Sequence, residues 1–176
     1  MRVFYFLILL FGYSFGANYN VDVTDSEVTF KVKHMIFSTV TGSFEKFNGS
    51  FSWDDDSKQF SSIAGTVNVA TISTKSEKRD SFIKDTDFFN IEKYPIMKLK
   101  LLEYKADKAI MELTIKDITK TIEMKLKDIQ DTSFVLYGEI NRKDFQLDFK
   151  KLNKIGGAMV GNTIKIIIKL KGILIN

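Results

Sequence analysis

From Val28 onward the chain alternates apolar and polar residues with a period of two. The clearest case is the last segment, where Ile164, Ile166, Ile168 and Leu170 share one parity and Lys165, Lys169 and Lys171 the other. Successive side chains of a strand point to opposite faces of the sheet. Each such segment therefore has one apolar and one wetted face. The pattern recurs in Val28, Phe30, Val32 and His34, opposed by Thr29, Lys31 and Lys33. It returns in Phe47, Gly49, Phe51 and Trp53, in Ile63, Gly65, Val67 and Val69, and in Met97, Leu99 and Leu101. Further stripes are Ala109, Met111, Leu113 and Ile115, then Ile122, Met124 and Leu126, then Phe134, Leu136, Gly138 and Ile140. Polar turns at Asp54–Ser57 and Ala106–Lys108 join neighbouring segments. Phe44 falls out of register with the Phe47 stripe, which predicts a bulge or bend near Glu45–Lys46.

About eight long antiparallel strands must dispose of their edges, and closure into a barrel removes them. The fold expected is all-β, an eight-stranded antiparallel lipocalin-like barrel, with a two-sheet sandwich as the alternative. Lys, Thr and Glu on the outer parity predict a water-soluble barrel that is apolar inside, because lipid-facing barrels carry the opposite pattern. The alternation breaks between Thr71 and Pro95. Ser76–Lys84 reads as a short helix with Ser76 at its N-cap, and the adjacent Phe88 and Phe89 belong to a covering loop, so helix and loop span about 75–95. Pro95 is tolerated at the start of a strand.

Composition removes most chemistry. The 176 residues contain no Cys and one His, which excludes disulfides, thiolate metal sites and any site needing two imidazoles. No metal or cofactor is expected. The Asp54–Asp56 run lacks the Gly and the distal Glu of a calcium loop. The 26 basic residues include only Arg2, Arg79 and Arg142 as arginines, and the lysines are dispersed, unlike a nucleic-acid-binding stripe. Met1–Arg2, the apolar run Val3–Phe11 and the small residues of Gly12–Ala17 have the layout of a signal peptide cleaved near Gly16–Ala17. That run is too short to span a bilayer. Residues 1–17 are thus expected to be an export signal and 18–176 a single domain, periplasmic or secreted. Four of the sixteen Phe belong to the signal, so the domain itself stays rich in Phe.

Six fragments in order give a more specific likeness. They are Phe30-Lys31-Val32-Lys33-His34, Val40-Thr41-Gly42-Ser43-Phe44 with Phe47-Asn48-Gly49, and Arg79-Asp80 followed by Asp87-Phe88-Phe89-Asn90 and Tyr94-Pro95. Leu113-Thr114-Ile115 with Thr119-Lys120, Ile140-Asn141-Arg142-Lys143-Asp144-Phe145, and Val160-Gly161-Asn162 complete the set. Together they resemble the YceI-like family of exported bacterial polyisoprenoid-binding proteins over nearly the whole mature chain. Phe82 stands where the family often has His, and family glycines near Met111, Asp117 and Gln146 are replaced.

The resemblance implies a carrier that holds a long-chain amphiphile (polyisoprenoid, isoprenoid quinone, fatty acid or fatty amide) in an apolar tunnel, without catalysis, and allows a homodimer. It places the ligand against Phe30, Val32, His34 and Phe37, against Phe47, Phe51, Trp53, Val67 and Val69, and against Phe82, Phe88 and Phe89 of the covering segment. Met97, Leu99, Leu113, Ile115, Met124, Ile140, Phe145, Ile164, Ile166 and Ile168 complete the expected lining. Arg79 with Asp80 or Asp87, and Arg142 with Asp144, are expected as structural ion pairs. The residues alone leave alternatives open. The apolar stripes suit a solid core as well as a tunnel, and Gly49, Gly65 and Gly138 suit either room for a ligand or bends in a barrel. His34 suits a satisfied core histidine or a head-group partner, and Phe88–Phe89 a fixed cap or a lid. A hydrolase or isomerase acting on a lipid through His34 or carboxylates is the competing function.

Overall fold

The computed structural model describes residues 16–34, 38–130, 132–148 and 160–175. Period-two segments become strands throughout: β1 (Ala17–Val21), β2 (Glu27–His34), β3 (Ser38–Phe44), β4 (Phe47–Asp54), β5 (Gln59–Asn68) and β6 (Ile72–Ser73). After the helix α1 (Glu77–Lys84) come β7 (Ile96–Lys105), β8 (Lys108–Ile115), β9 (Ile118–Gln130), β10 (Ser133–Asn141) and β11 (Val160–Leu174). Neighbours pair in the order β1-β4-β5-β7-β8-β9-β10-β11, and β1 also pairs with β11, so these eight strands close into an antiparallel barrel. Three more strands extend the wall from β11 in the order β2-β3-β6. Residues 1–15 of the expected signal segment, 1–17, lie outside the described residues. No helix among the described residues is long and apolar enough to cross a membrane.

Closure depends on how β11 divides one of its edges. Ile164–Lys169 pair with Val32–Glu27 of β2, whereas Gly172–Leu174 pair with Val21–Tyr19 of β1. β1 then passes its other edge to Trp53–Ser50 of β4. The break expected at Glu45–Lys46 separates β3 from β4. There the Lys46 N–H donates to Thr71 Oγ1 at 3.0 Å, and the Lys46 carbonyl accepts from Asn68 N–H at 2.9 Å. Outer-face lysines meet carboxylates across strands, Lys165–Glu139 at 3.4 Å and Lys169–Glu27 at 3.1 Å. Exposed pairs of this kind contribute little stability.

Some local expectations are corrected. Val69 does not continue β5: it opens a 3-10 turn, Val69–Thr71, where Asn68 Oδ1 accepts from Ala70 N–H at 3.0 Å. Ser76 holds the N-cap position of α1 but makes no side-chain cap bond. Arg79 and Asp80 do not pair directly. Both grip Thr74, with Arg79 Nε donating to its hydroxyl at 2.7 Å and the Thr74 N–H donating to Asp80 Oδ1 at 2.9 Å. Asp87 is likewise not the partner of Arg79; its N–H donates to Asp85 Oδ1 at 3.1 Å. Arg142 meets Asp148 at 3.5 Å rather than Asp144, because the 3-10 turn Arg142–Phe145 aims the guanidinium at the Leu147 carbonyl, 2.6 Å away.

Two of the replaced glycines fall at left-handed positions, Asp117 at φ 60° and Gln146 at φ 53°. Met111 instead lies fully buried within β8. A non-glycine side chain in the left-handed region crowds its own backbone. Gln146→Gly is therefore expected to raise the unfolding free energy by about 1 kcal/mol, seen as a higher urea midpoint.

Candidate functional site: an apolar cavity between a plug and a cover

The inner face of the barrel is not uniform. At one end six rings interlock, with Phe51 on Phe134 at 5.0 Å and 88°, Phe60 on Phe134 at 4.6 Å, and Tyr19, Trp53 and Tyr104 around them at 4.6–5.4 Å. Phe51 and Phe134 are 2% exposed, and Ala109 and Met111 at the same end are fully buried. Edge-to-face and tilted pairs of this kind fill space with favourable quadrupole contacts. Burial pushes the Tyr104 phenol above the usual tyrosine range, with Asp107 adding to the shift.

Towards the other end the inward side chains lose their neighbours. Phe30, Val32, Phe47, Val67, Met97, Leu99, Ile164 and Ile166 point inward yet are only half-buried. They surround a cavity of about 160 Å³. Phe88, Phe89, Leu113, Ile115, Met124, Ile140 and Ile168 complete the part of its wall that the alternation and the covering segment had indicated. Val21, Val28, Phe44, Ile63, Ile72, Ile83, Leu136, Leu147, Val160 and Leu170 line it as well. Of these, Val28, Ile63, Leu136 and Leu170 stand on stripes already visible in the sequence. Of the three glycines left open, Gly49 and Gly65 stand on the cavity wall, whereas Met124 Cγ occupies the space a Cβ on Gly138 would need, at 2.9 Å.

Several expected lining residues are elsewhere. Phe51 and Trp53 belong to the plug. Val69 and Phe145 are buried in 3-10 turns off the cavity wall. Phe82 lies behind Phe88 at 6.4 Å, because the turn of α1 presents Ile83 to the cavity instead. His34 stands at the rim opposite Val160 and Ser38 and is not on the cavity wall. Phe37 lies outside the described residues.

Polar side chains at the wall are few and engaged. Thr29 Oγ1 donates to the Ile167 carbonyl at 3.0 Å, and Thr66 Oγ1 to Asn48 Oδ1 at 2.8 Å. Lys98 sits on the exposed outer parity of β7. Arg142 donates to the carbonyls of Leu147 and Gly161, at 2.6 and 3.2 Å. Burial lowers its pKa, and Asp148 partly opposes that shift. No group of three His, Asp or Glu side chains that could hold a metal is found among the described residues. At the rim, Ser38 Oγ donates to the His34 carbonyl and stands 3.5 Å from His34 Nδ1.

The matching family model, described as the YceI-like domain, spans residues 19–172, from within β1 to within β11. The chain belongs to the YceI-like family. A UPF0312 protein of Staphylococcus aureus (strain N315) is 29% identical over 161 residues, covering 85% of this chain and 93% of its own. Three solved structures share the fold. A polyisoprenoid binding domain from Saccharophagus degradans superposes with a TM-score of 0.70 at 14% identity, over 91% of this chain and 99% of that one. Burkholderia cenocepacia BcnA gives 0.69 at 20% identity, over 85% and 98%. A Campylobacter jejuni YCEI protein gives 0.66 at 23%, over 82% and 90%.

In this YceI-like barrel the cover consists of α1 and the segment leading to Pro95. Phe88 and Phe89 are buried, their rings perpendicular at 5.2 Å, and both face the cavity. Lys116, in the tight β8–β9 turn, donates to the Phe88 carbonyl at 2.8 Å and the Gln146 carbonyl at 3.3 Å. One ammonium thus ties the cover to the turn that carries Leu147. A hydrogen bond from a charged group contributes about 1.5–3 kcal/mol. Lys116→Met is expected to speed amide hydrogen exchange across residues 82–91 roughly tenfold, leaving β9–β10 amides unchanged. Unchanged exchange in the cover would show that Lys116 does not hold it.

Proposed function

We propose that this chain is an exported carrier that encloses the tail of a long-chain amphiphile in the barrel cavity. The candidates are a polyisoprenoid, an isoprenoid quinone, a fatty acid or a fatty amide. One observation carries the reading: Phe30, Val32, Phe47, Val67, Met97, Leu99, Ile164 and Ile166 point inward around the cavity yet are only half-buried, while Phe51, Phe60 and Phe134 of the plug are buried. A solid core would bury those inward side chains as well. A pocket walled by hydrocarbon with few polar groups suits a tail, which contributes about 0.8 kcal/mol per enclosed methylene. Membership in the YceI-like family supports the same reading, as does a shared fold with a domain described as polyisoprenoid-binding. The carrier needs no catalytic group.

The Met1–Ala17 segment supports export, and β1 begins at Ala17, beside the expected cleavage near Gly16–Ala17. Protein recovered from the periplasm or medium of a bacterial host is expected to start next to that junction, at Ala17 or Asn18, on N-terminal sequencing. Protein retaining Met1 in those fractions would contradict export by cleavage.

Organic extraction of protein purified under native conditions, followed by mass spectrometry, is expected to release an apolar molecule in near-stoichiometric amount. Extracts that are always empty, with no uptake of an added apolar fluorophore, would refute the carrier. His34→Ala is expected to leave fluorophore affinity within about threefold, since His34 is off the cavity wall. A lipid-modifying enzyme acting through His34 would instead convert its lipid, and that turnover would vanish with the imidazole.

A further inference from the structure

The cavity ends where the aromatic plug begins. Ile63 and Leu170 line its deep end, and each is paired in register with a plug ring: Ile63 with Phe51, Leu170 with Phe134. The rings occupy room that the backbone at that level leaves free. A Cβ added to Gly172 would lie 2.4 Å from the Phe51 ring and 2.8 Å from Tyr19 Cβ, so the Phe51 ring fills the place of a missing side chain. Phe60, 5% exposed, wedges against both Phe51 and Phe134. Without these rings the tube would continue towards the β1 end.

We propose that Phe51, Phe60 and Phe134 determine how much of a ligand tail the barrel encloses. This rests on the carrier reading and adds a length to it. Along β11 the cavity wall runs unbroken through Ile164, Ile166, Ile168 and Leu170, while Val160 lines it beyond a register break, at the rim opposite His34. Six residues from Ile164 to Leu170 at ~3.3 Å each span about 20 Å, and a strand tilt of about 40° reduces the depth to about 15 Å. An extended chain advances about 1.3 Å for each C–C bond of ~1.52 Å, so about twelve carbons fit along that unbroken stretch above the plug. The ligand class is a single-chain amphiphile with a straight tail of about that enclosed length. The remainder of any longer tail stays outside the cover.

Affinities of primary alkanols from C8 to C16, measured by native mass spectrometry, test this directly. In the unaltered protein each added methylene is expected to strengthen binding about fourfold up to about C12, with little gain beyond. Phe134→Leu and Phe60→Leu open the floor and are expected to move the levelling point outward by two carbons or more. Circular dichroism melts show which variants are folded, and either one suffices. Gain continuing to C16 in the unaltered protein, or an unmoved levelling point in a folded variant, overturns the ruler but leaves the carrier standing. Failure of every alkanol to bind overturns the carrier, and the ruler with it.

Discussion

The interior of this barrel depends on the five residues of β1, which join two edges that would otherwise stay open. Tyr19–Val21 pair with Leu174–Gly172, and Ala17–Asn20 pair with Trp53–Ser50. Open edges offer unpaired backbone groups to solvent or to other chains, and closure is the surest way to remove them. Closure also brings Tyr19 onto Phe51 at 5.0 Å, and so assembles the plug. The strand that shuts the barrel therefore also fixes where its solid part begins.

Above that solid part the barrel uses a different economy of packing. Its wall is hydrocarbon almost throughout, and the polar side chains that reach it are bonded to the protein itself. Such a site gains affinity in proportion to apolar area. In the proposed carrier, discrimination among tails would come from shape, depth and the hold on the cover rather than from hydrogen bonds. Lys116 and the Phe88–Phe89 pair would act on the last of these, the plug rings on the second. Met97 and Met124 adapt the wall between them, as methionine does at irregular apolar surfaces.

Much of the architecture was legible because a period of two survives wherever one face is buried. The stripes from Phe30 to Ile168 gave both the strands and most of the cavity wall. The misses have physical causes. β1 is only five residues long and adjoins the expected export segment, so its Tyr19/Val21 alternation was too brief to stand out. Parity assigns a side chain to the inside but says nothing of its height along the barrel. Phe51 and Trp53 thus read as lining although they sit in the plug. Val69 and Phe145 follow strand stripes into 3-10 turns, where the alternation no longer applies. The partners of Arg79 and Arg142 are chiefly backbone carbonyls and a threonine hydroxyl, which charge patterns in a sequence do not reveal.

The central claim is that the space between cover and plug receives an apolar tail. A crystal structure with a fatty acid brominated at its terminal carbon tests it most directly, because anomalous scattering locates the bromine without interpretation of weak chain density. The expected position is inside the barrel, between Phe88 and Phe134 and close to Ile63 and Leu170. Bromine found only on the outer surface, or an interior without any anomalous peak at saturating ligand, would contradict the account.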